Sequence, residues 1–159
     1  MKKRIVGCLL VMWVGAIAPA AMALDFGVFG SLWHQKDGDD VPGVGILLLP
    51  ETVPMEFRAT WYERANGRVR ANPIDIGLTL ALTRKDALRV TAVGGGSLYL
   101  LDIRGASSDT QFGLYVGARF EFSTQNNITV FGEAMFRGVD LDDPNLNLSG
   151  PSIQIGILF

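Results

Sequence analysis

The chain contains one histidine, His34, and the chemistry it could support depends on the residues around it. A hydrolytic site needs a nucleophile within hydrogen-bond reach of the imidazole, and a third group that orients the imidazole. If these residues form a β-strand, side chains alternate between two faces. Ser31 then lies on the face opposite to His34, and Lys36 stands where a His-x-Ser pair would need its serine. We therefore expect no catalytic residues, no enzyme activity and no cofactor.

A larger set of charged residues lies on the polar sides of segments in which apolar and polar residues alternate. Arginine and carboxylate side chains enclosed in a narrow space are expected to pair, because the planar guanidinium group matches two carboxylate oxygens. Such a network either satisfies buried charge or acts as a gate, and the structural role is the commoner one. The residues are Glu56, Arg58, Asp75, Asp102, Arg119, Glu121, Glu133 and Arg137.

The elements that must position these residues are β-strands. In residues 111–123 every second residue from Phe112 to Phe122 is apolar, and a period of two over thirteen residues indicates a strand. The phase of the alternation changes between Leu88 and Arg104, and we expect a glycine-associated bulge at residues 94–96. The eight predicted strands are residues 24–33, 43–49, 53–62, 72–84, 88–104, 111–123, 128–138 and 151–159.

An N-terminal export signal precedes these strands. Lys2, Lys3 and Arg4 are followed by an apolar run and by the small-residue pattern that ends at Ala23, which predicts a cleaved signal peptide over residues 1–23. A membrane anchor is the alternative, but the apolar run is shorter than the roughly 20 residues that a bilayer needs. Cys8, the only cysteine, would be removed with the signal.

The processed chain, residues 24–159, is expected to be one acidic domain. Removing three basic residues leaves 11 Lys and Arg against 16 Asp and Glu, a formal charge of −5. A nucleic-acid partner is therefore not expected, since its phosphates require a basic surface.

The apolar faces of the strands are expected to point outward, toward lipid. Soluble barrels usually place lysine on their outer faces, but the processed chain has only Lys36 and Lys85, both in connections. Phe29 and Trp33 have the inward parity and are expected to fill the lumen. Two bands of aromatic residues near the strand ends resemble the girdles of membrane barrels. They are Trp61, Tyr62, Phe112 and Phe136 at one end, and Phe26, Phe57, Phe122 and Phe159 at the other.

The last residues of the chain, Ile153, Ile155, Ile157 and Phe159, resemble the C-terminal assembly signal of outer-membrane barrels. Over its processed length the chain resembles small eight-stranded outer-membrane proteins of the OmpA and OmpX type. Residues 24–33 and 90–101 are similar, over these short stretches, to the YfaZ family. The resemblance implies an all-β fold, an eight-stranded antiparallel up-and-down transmembrane β-barrel. It also implies a location in the outer membrane of a Gram-negative bacterium, with the barrel-assembly machinery as a partner during biogenesis. In such a barrel the first strand must pair with the last strand, because unpaired backbone groups are costly in lipid.

The connections at the outer end suggest contacts with outer-membrane lipid and lipopolysaccharide. Arg64, Arg68 and Arg70 could bind lipid A phosphates, or could belong to an exposed loop without a ligand. Acidic residues in the first and last outer loops could bind a divalent ion, but they lack the spacing of an EF-hand, so no metal site is expected. These residues are Asp37, Asp39, Asp40, Asp140, Asp142 and Asp143.

Together these features predict a non-enzymatic outer-membrane barrel that contributes to envelope structure or to surface interaction through its outer loops. An eight-stranded barrel is just filled by its own side chains, so a wide pore is not expected. A narrow channel or a barrel that binds a small molecule or ion is the first alternative. An enzyme that modifies lipid A, resembling the small outer-membrane deacylases and acyltransferases, is the second.

Overall fold

The structure is a computed structural model that describes residues 23–36, 40–63, 69–85, 87–103, 109–124, 128–139 and 148–159. Except for Ala23, the predicted signal peptide lies outside these residues. The described residues contain no helix that is long and apolar enough to cross a membrane.

Eight antiparallel strands form a closed barrel in which each strand pairs with its neighbours in the chain and the first strand pairs with the eighth. The first strand begins and the second, fourth, sixth and eighth strands end at one rim, the inner rim. The first, third, fifth and seventh strands end at the other, the outer rim. The strands are β1 (Leu24–His34), β2 (Asp40–Pro50), β3 (Met55–Glu63), β4 (Val69–Lys85), β5 (Leu88–Ile103), β6 (Asp109–Ser123), β7 (Thr129–Val139) and β8 (Gly150–Leu158).

The alternating sequence pattern places apolar side chains outside the barrel and polar ones inside it. In β6, Phe112 and Leu114 are 73% and 71% exposed, whereas Tyr115 and Arg119 are buried. In β4, Ile76 and Leu78 are exposed and Asp75 is buried. This arrangement confirms the predicted orientation, with an apolar outer wall and a polar lumen.

The bulge predicted at residues 94–96 is absent. The β5–β6 register runs without interruption from Leu88 opposite Phe122 to Leu101 opposite Asp109. The phase of the sequence pattern changes because the lumen itself becomes apolar toward the outer rim, where Tyr99 and Leu101 point inward and are buried. The register shift lies instead in β4, between Ala81 and Thr83.

Among the described residues, two apolar clusters lie on either side of the charged centre of the lumen, and a third, Val93, Tyr115 and Met135, lies beside that centre. The outer cluster surrounds Trp33, whose ring centroid lies 5.2 Å from that of Tyr62 and 5.8 Å from that of Tyr99. The prediction that Phe29 and Trp33 fill the lumen is confirmed, whereas Tyr62 belongs to the outer cluster and not to an external aromatic band. The outer cluster consists of Trp33, Val41, Tyr62, Ala71, Tyr99, Leu101 and Leu148. The inner cluster consists of Phe29, Leu47, Phe131 and Leu158.

The last residue takes part in closing the barrel, as the sequence predicted. β1 and β8 pair from Gly27 opposite Leu158 to Trp33 opposite Ser152. Beyond this ladder the Phe159 amide donates to the Phe26 carbonyl at 2.8 Å, and the Phe26 amide donates to the Phe159 carbonyl at 3.3 Å. The seam therefore extends to the chain terminus.

Candidate functional site

The centre of the lumen holds two carboxylates and two guanidinium groups in one cluster. Glu56 and Arg58 come from β3, Arg119 from β6 and Glu133 from β7, and all four have the inward parity of their strands. Arg58 Nη2 lies 2.9 Å from Glu56 Oε1 and 2.8 Å from Glu133 Oε1. Arg119 donates from Nε to Glu133 Oε2 at 2.6 Å and from Nη2 to Glu56 Oε2. Each carboxylate is therefore shared between both arginines.

A second ion pair lies nearer the outer rim. Arg137 Nη2 donates to Asp75 Oδ2 at 2.8 Å and Nη1 donates to Oδ1 at 3.1 Å, so the pair is bidentate. Ser97 also donates to Asp75 Oδ1, at 2.6 Å. Arg137 Nη1 contacts the Tyr99 hydroxyl of the outer cluster at 3.4 Å.

Tyr115 lies between these two groups of charges. Its hydroxyl donates to Glu56 Oε1 at 2.8 Å. The guanidinium carbons of Arg58 and Arg137 lie 5.6 Å and 5.8 Å from its ring centroid, within the range of cation–π interactions. The lumen charges thus form one connected structure that spans the barrel from β3 and β4 to β6 and β7.

At the inner side of this structure the pairing becomes looser. Glu121 Oε1 lies 3.8 Å from Arg119 Nη1, and Glu121 Oε2 lies 3.7 Å from Arg89 Nε. Both distances exceed those of a hydrogen bond. The Arg89 side chain is 46% exposed, so this end of the ion-paired set is open to solvent.

Seven of the eight residues predicted for the lumen network are buried inside the barrel, and Asp102 is not. Asp102 is exposed and lies opposite Arg70 at the outer rim, because β5 keeps one parity along its whole length. The assignment of Asp102 to the lumen is therefore corrected to the outer surface.

Arg89 is an ion-paired lumen residue that the sequence prediction omitted. It shares the inward parity of Thr91 and lies opposite Glu121 in the β5–β6 register, and this parity was the available signal. With Arg89 included and Asp102 removed, the ion-paired set within the described lumen has four carboxylates and four arginines. We call this set the charge network. Its members are Glu56, Arg58, Asp75, Arg89, Arg119, Glu121, Glu133 and Arg137.

Several polar atoms of the lumen have no hydrogen-bond partner among the described residues. They include Nε of Arg58 and Arg137, the Thr91 hydroxyl, and both side-chain amide atoms of Gln154. Buried polar groups are usually hydrogen-bonded. These atoms are therefore available for hydrogen bonds to a molecule that enters the lumen.

His34 and Ser31 lie apart, as the strand parity predicted. Ser31 is buried and its Oγ lies 2.6 Å from the Tyr62 hydroxyl. His34 is exposed at the outer rim, and its Nδ1 lies 2.6 Å from Asp40 Oδ1. The two side chains therefore belong to opposite faces of β1 and have different partners.

Of the three arginines considered for lipid phosphates, Arg70 is described and Arg64 and Arg68 lie outside the described residues. Arg70 is exposed at the outer rim, and its Nη2 lies 2.9 Å from Glu63 Oε1. Of the acidic loop residues only Asp40 is described. Asp37, Asp39, Asp140, Asp142 and Asp143 lie outside that part of the chain, and the described residues contain no group of three metal-ligating side chains.

The C-terminal residues predicted to carry the assembly signal lie on the outer wall of the barrel. Ile153, Ile155 and Phe159 are exposed and Ile157 is half-buried. Their apolar side chains form part of the lipid-facing surface next to the seam with β1.

A cavity of about 750 Å³ opens at the inner rim. It lies between the β2–β3 turn and the β4–β5 hairpin, and its inner wall includes Arg119 and Glu121 of the charge network. We call it the inner vestibule. Its other charged lining residues are Asp25, Glu51, Arg84 and Arg89.

No family model matches the chain, and no curated protein matches it. Solved structures do. The crystal structure of Neisserial surface protein A (NspA) is similar with a TM-score of 0.62 and 11% identity, over 85% of this chain and 92% of that one. The N-terminal β-barrel domain of Pseudomonas aeruginosa OprF is similar with a TM-score of 0.51 and 16% identity, over 86% and 96% of the two chains. A major outer membrane protein from Thermus thermophilus is similar with a TM-score of 0.52 and 10% identity, over 86% and 98%.

At these identities the similarity is one of fold. The closed eight-stranded antiparallel barrel of this chain is the fold of small outer-membrane β-barrel proteins, as the sequence resemblance implied.

Proposed function

We propose that this chain is a non-enzymatic barrel of the bacterial outer membrane that contributes to envelope structure or to surface interaction through its outer connections. The observation that carries the proposal is a lumen closed by its own side chains inside an apolar wall. The charge network occupies the centre, and the outer cluster covers it toward the outer rim.

The outer wall supports insertion in a membrane. Leu78, Leu80, Leu114 and Ile155 are each between 64% and 71% exposed, and they lie on three different strands. Water-soluble monomers rarely expose continuous apolar surface of this kind. In lipid the same surface is favourable, and closure of the sheet satisfies the backbone groups that hydrocarbon cannot.

The lumen argues against general diffusion of solutes. Trp33 in the outer cluster and Arg119 in the charge network are both fully buried. A solute would have to displace an aromatic cluster and then break an ion-paired layer. Two barriers of different chemistry therefore lie in series along the barrel.

Conductance across planar lipid bilayers tests this proposal. The refolded barrel is expected to give no steady current, and Trp33→Ala is also expected to give none, because the charge network remains below the removed ring. A shift in gel mobility on boiling shows that each protein is folded before it is added. Reproducible current steps from the folded wild type would contradict the proposal.

A narrow channel or ion-binding barrel is the second candidate. The observation that favours it is the sharing of Glu56 and Glu133 between the same two arginines, since shared partners can exchange without leaving a charge alone. Current in the wild type that disappears in Arg119→Met, with the barrel still folded, would favour this candidate over the first.

Outer-membrane lipid and lipopolysaccharide are the proposed partners at the outer rim. The exposed Arg70 and its neighbours Arg64 and Arg68 would provide guanidinium groups for phosphate. Replacing all three by glutamine is expected to weaken binding of lipid A to the refolded barrel. Unchanged binding would show that these arginines do not bind the phosphates of lipid A.

A further inference from the structure

The inner vestibule has an arginine wall formed by the β4–β5 hairpin. In β4 the even-numbered residues from Ile74 to Leu80 face outward, and Arg84 would follow them if the strand were regular. The register shift between Ala81 and Thr83 reverses this parity and leaves Arg84 directly opposite Arg89. A β-bulge is a recurrent means of re-aiming a side chain next to a functional site. Here it turns a guanidinium group into the vestibule.

Opposing arginines in adjacent strands repel each other. Arg84 has no ion-pair partner among the described residues, and the only carboxylate within 4 Å of Arg89 in that part of the chain is Glu121, at 3.7 Å. Neither guanidinium is therefore neutralised by a hydrogen-bonded carboxylate in the described lumen. An anion placed between them would remove the repulsion.

A buried hydroxyl group completes the arginine wall. Thr91, two residues from Arg89 on the same face of β5, lines the vestibule and is 1% exposed. Its Oγ1 has no hydrogen-bond partner among the described residues. Two guanidinium groups and one hydroxyl group thus offer donors, and what they lack is an acceptor.

The acidic residues of the vestibule restrict where an anion can lie. Asp25 belongs to β1, which is opposite β5 in the closed eight-stranded order, and Glu51 belongs to the β2–β3 turn. The third carboxylate, Glu121, lies on β6 opposite Arg89. Arg119 is occupied by Glu56 and Glu133. The side of the vestibule next to β4 and β5 has two arginines, Arg84 and Arg89, against the single carboxylate of Glu121, and it is therefore the positive side.

We propose that the inner vestibule binds a phosphate group through Arg84, Arg89 and Thr91. The group could belong to free phosphate or to the headgroup of a phospholipid at the inner rim, since both present negatively charged oxygens on a tetrahedral phosphorus. Guanidinium groups bind such oxygens in bidentate fashion. This proposal goes beyond the envelope role and does not depend on it.

The experiment is a titration of the isotopically labelled barrel in maltoside micelles, which contain no phosphate. Backbone amide signals of Arg89 and Thr91 are followed as inorganic phosphate is added, with chloride at the same ionic strength as the reference. We expect saturable shifts with phosphate and none with chloride. Arg84→Gln and Arg89→Gln are each expected to weaken binding by about tenfold or more, as loss of one charge-assisted contact implies.

Lys85→Gln is the matched control, because this substitution removes the same charge from the same hairpin and Lys85 pairs in register with Leu88, outside the vestibule. It should leave the titration unchanged. Identification of the source uses phosphatidylglycerol added to the micelles, with a phosphate-free diacylglycerol as its reference. Shifts with the phospholipid but not with inorganic phosphate would assign the site to a headgroup, and shifts with both would assign it to phosphate in general.

Equal shifts with chloride, or binding retained by both arginine variants while the barrel remains folded, would overturn the proposal. So would the absence of saturable shifts with either phosphate source. None of these results bears on bilayer conductance, so the proposed envelope role would stand or fall separately.

Discussion

Glu56 accepts hydrogen bonds from three side chains, Arg58 and Tyr115 at Oε1 and Arg119 at Oε2. A buried carboxylate with fewer partners would carry an uncompensated desolvation cost. The same reasoning applies to Asp75, which is bound by Arg137 and Ser97. At the scale of single residues, the lumen is therefore most sensitive to the loss of one partner and less so to the loss of both.

Arg137→Met should destabilise the barrel by about 3 to 5 kcal/mol, because Asp75 is then buried without its cation. The double variant Arg137→Met with Asp75→Leu should recover much of this loss. Equilibrium unfolding by guanidinium in lipid vesicles, followed by tryptophan fluorescence, measures the difference.

The exposed pair Arg70–Glu63 provides the control. Replacing either partner by glutamine should change the unfolding free energy by about 1 kcal/mol or less, because exposed pairs are screened by water. If Arg137→Met proved as mild as these rim variants, Asp75 and Arg137 would not be a desolvated pair.

Gly77 gives a second prediction at this scale. A β-carbon at Gly77 would lie 2.8 Å from the Gly94 carbonyl oxygen, 2.9 Å from the Tyr115 ζ carbon and even closer to the Tyr115 hydroxyl oxygen. Gly77→Ala should therefore strain the β4–β5 ladder and displace the hydroxyl that donates to Glu56. We expect a loss of about 1 to 3 kcal/mol, the usual effect of overpacking. Unfolding in vesicles and the near-ultraviolet signal of tyrosine both report it.

Gly96→Ala is the matched control, since a β-carbon at Gly96 has no atom within 4 Å. A change within about 0.5 kcal/mol is expected there. Comparable losses at both glycines would mean that the effect arises from the backbone and not from Tyr115.

The sequence indicated the position of individual lumen residues where parity was unambiguous. Seven charged residues on β3, β4, β6 and β7 have the expected inward position, because each lies on the face opposite a regular series of alternating apolar residues. Asp102 and Arg89 were misjudged or missed because both lie on β5, the strand whose inward face changes from polar to apolar along its length. Partners could not be predicted, since Asp75 and Arg137 meet across 62 residues of chain.

At the scale of elements, β4, β5 and β6 have 17, 16 and 15 residues, whereas the other strands have 9 to 11. The sequence predicted all eight strands, but it placed the irregularity in the wrong one. A run of glycines suggested a bulge, and in fact Gly95 and Gly96 continue the regular ladder opposite Gly77 and Ile76. The shift near Leu82 had no glycine to reveal it, because Leu82 faces outward and fits the apolar pattern.

The outward face of β4 can be tested by introducing a charge. Leu78 is 64% exposed and lies about halfway between Arg70 at the outer rim and Lys85 at the inner rim. Leu78→Arg should cost about 2 to 4 kcal/mol at the bilayer midplane. Unfolding in vesicles of constant lipid composition measures this cost.

Thr83→Arg, on the same strand near the inner rim, is the depth control, and about 0 to 1 kcal/mol is expected there. Equal destabilisation by Leu78→Arg and Thr83→Arg in vesicles would contradict a bilayer that surrounds β4. The same conclusion would follow if Leu78→Arg destabilised the barrel in neutral detergent but not in vesicles.

At the scale of the whole molecule, the barrel shares its fold with chains that are only 9% to 16% identical to it. A closed eight-stranded sheet specifies little beyond alternation, strand number and closure, so many sequences satisfy it. For the same reason the sequence predicted the fold well and the vestibule not at all, since the vestibule depends on a register shift and on turns that meet only after closure.

Deletion of Phe159 should reduce assembly in the outer membrane severalfold, because it removes the last two hydrogen bonds of the β1–β8 seam and the terminal aromatic residue. The fraction of heat-modifiable protein in isolated outer membranes measures the effect. Phe112→Ala removes an outward aromatic ring from β6, which is not part of the β1–β8 seam, and should leave that fraction nearly unchanged. Normal assembly after the deletion would show that the C-terminus carries no signal.

The ion pairs that join β3 to β6 and β4 to β7 determine when, during folding, the interior of the barrel can lose its water. Glu56 reaches Arg119 across 63 residues and Asp75 reaches Arg137 across 62. Any route that adds strands in chain order leaves both carboxylates hydrated until β6 and β7 arrive. The interior can therefore become dry only when the last strands join, and folding that stalls before this step would leave a wet, half-open sheet whose unmatched charges oppose entry into lipid.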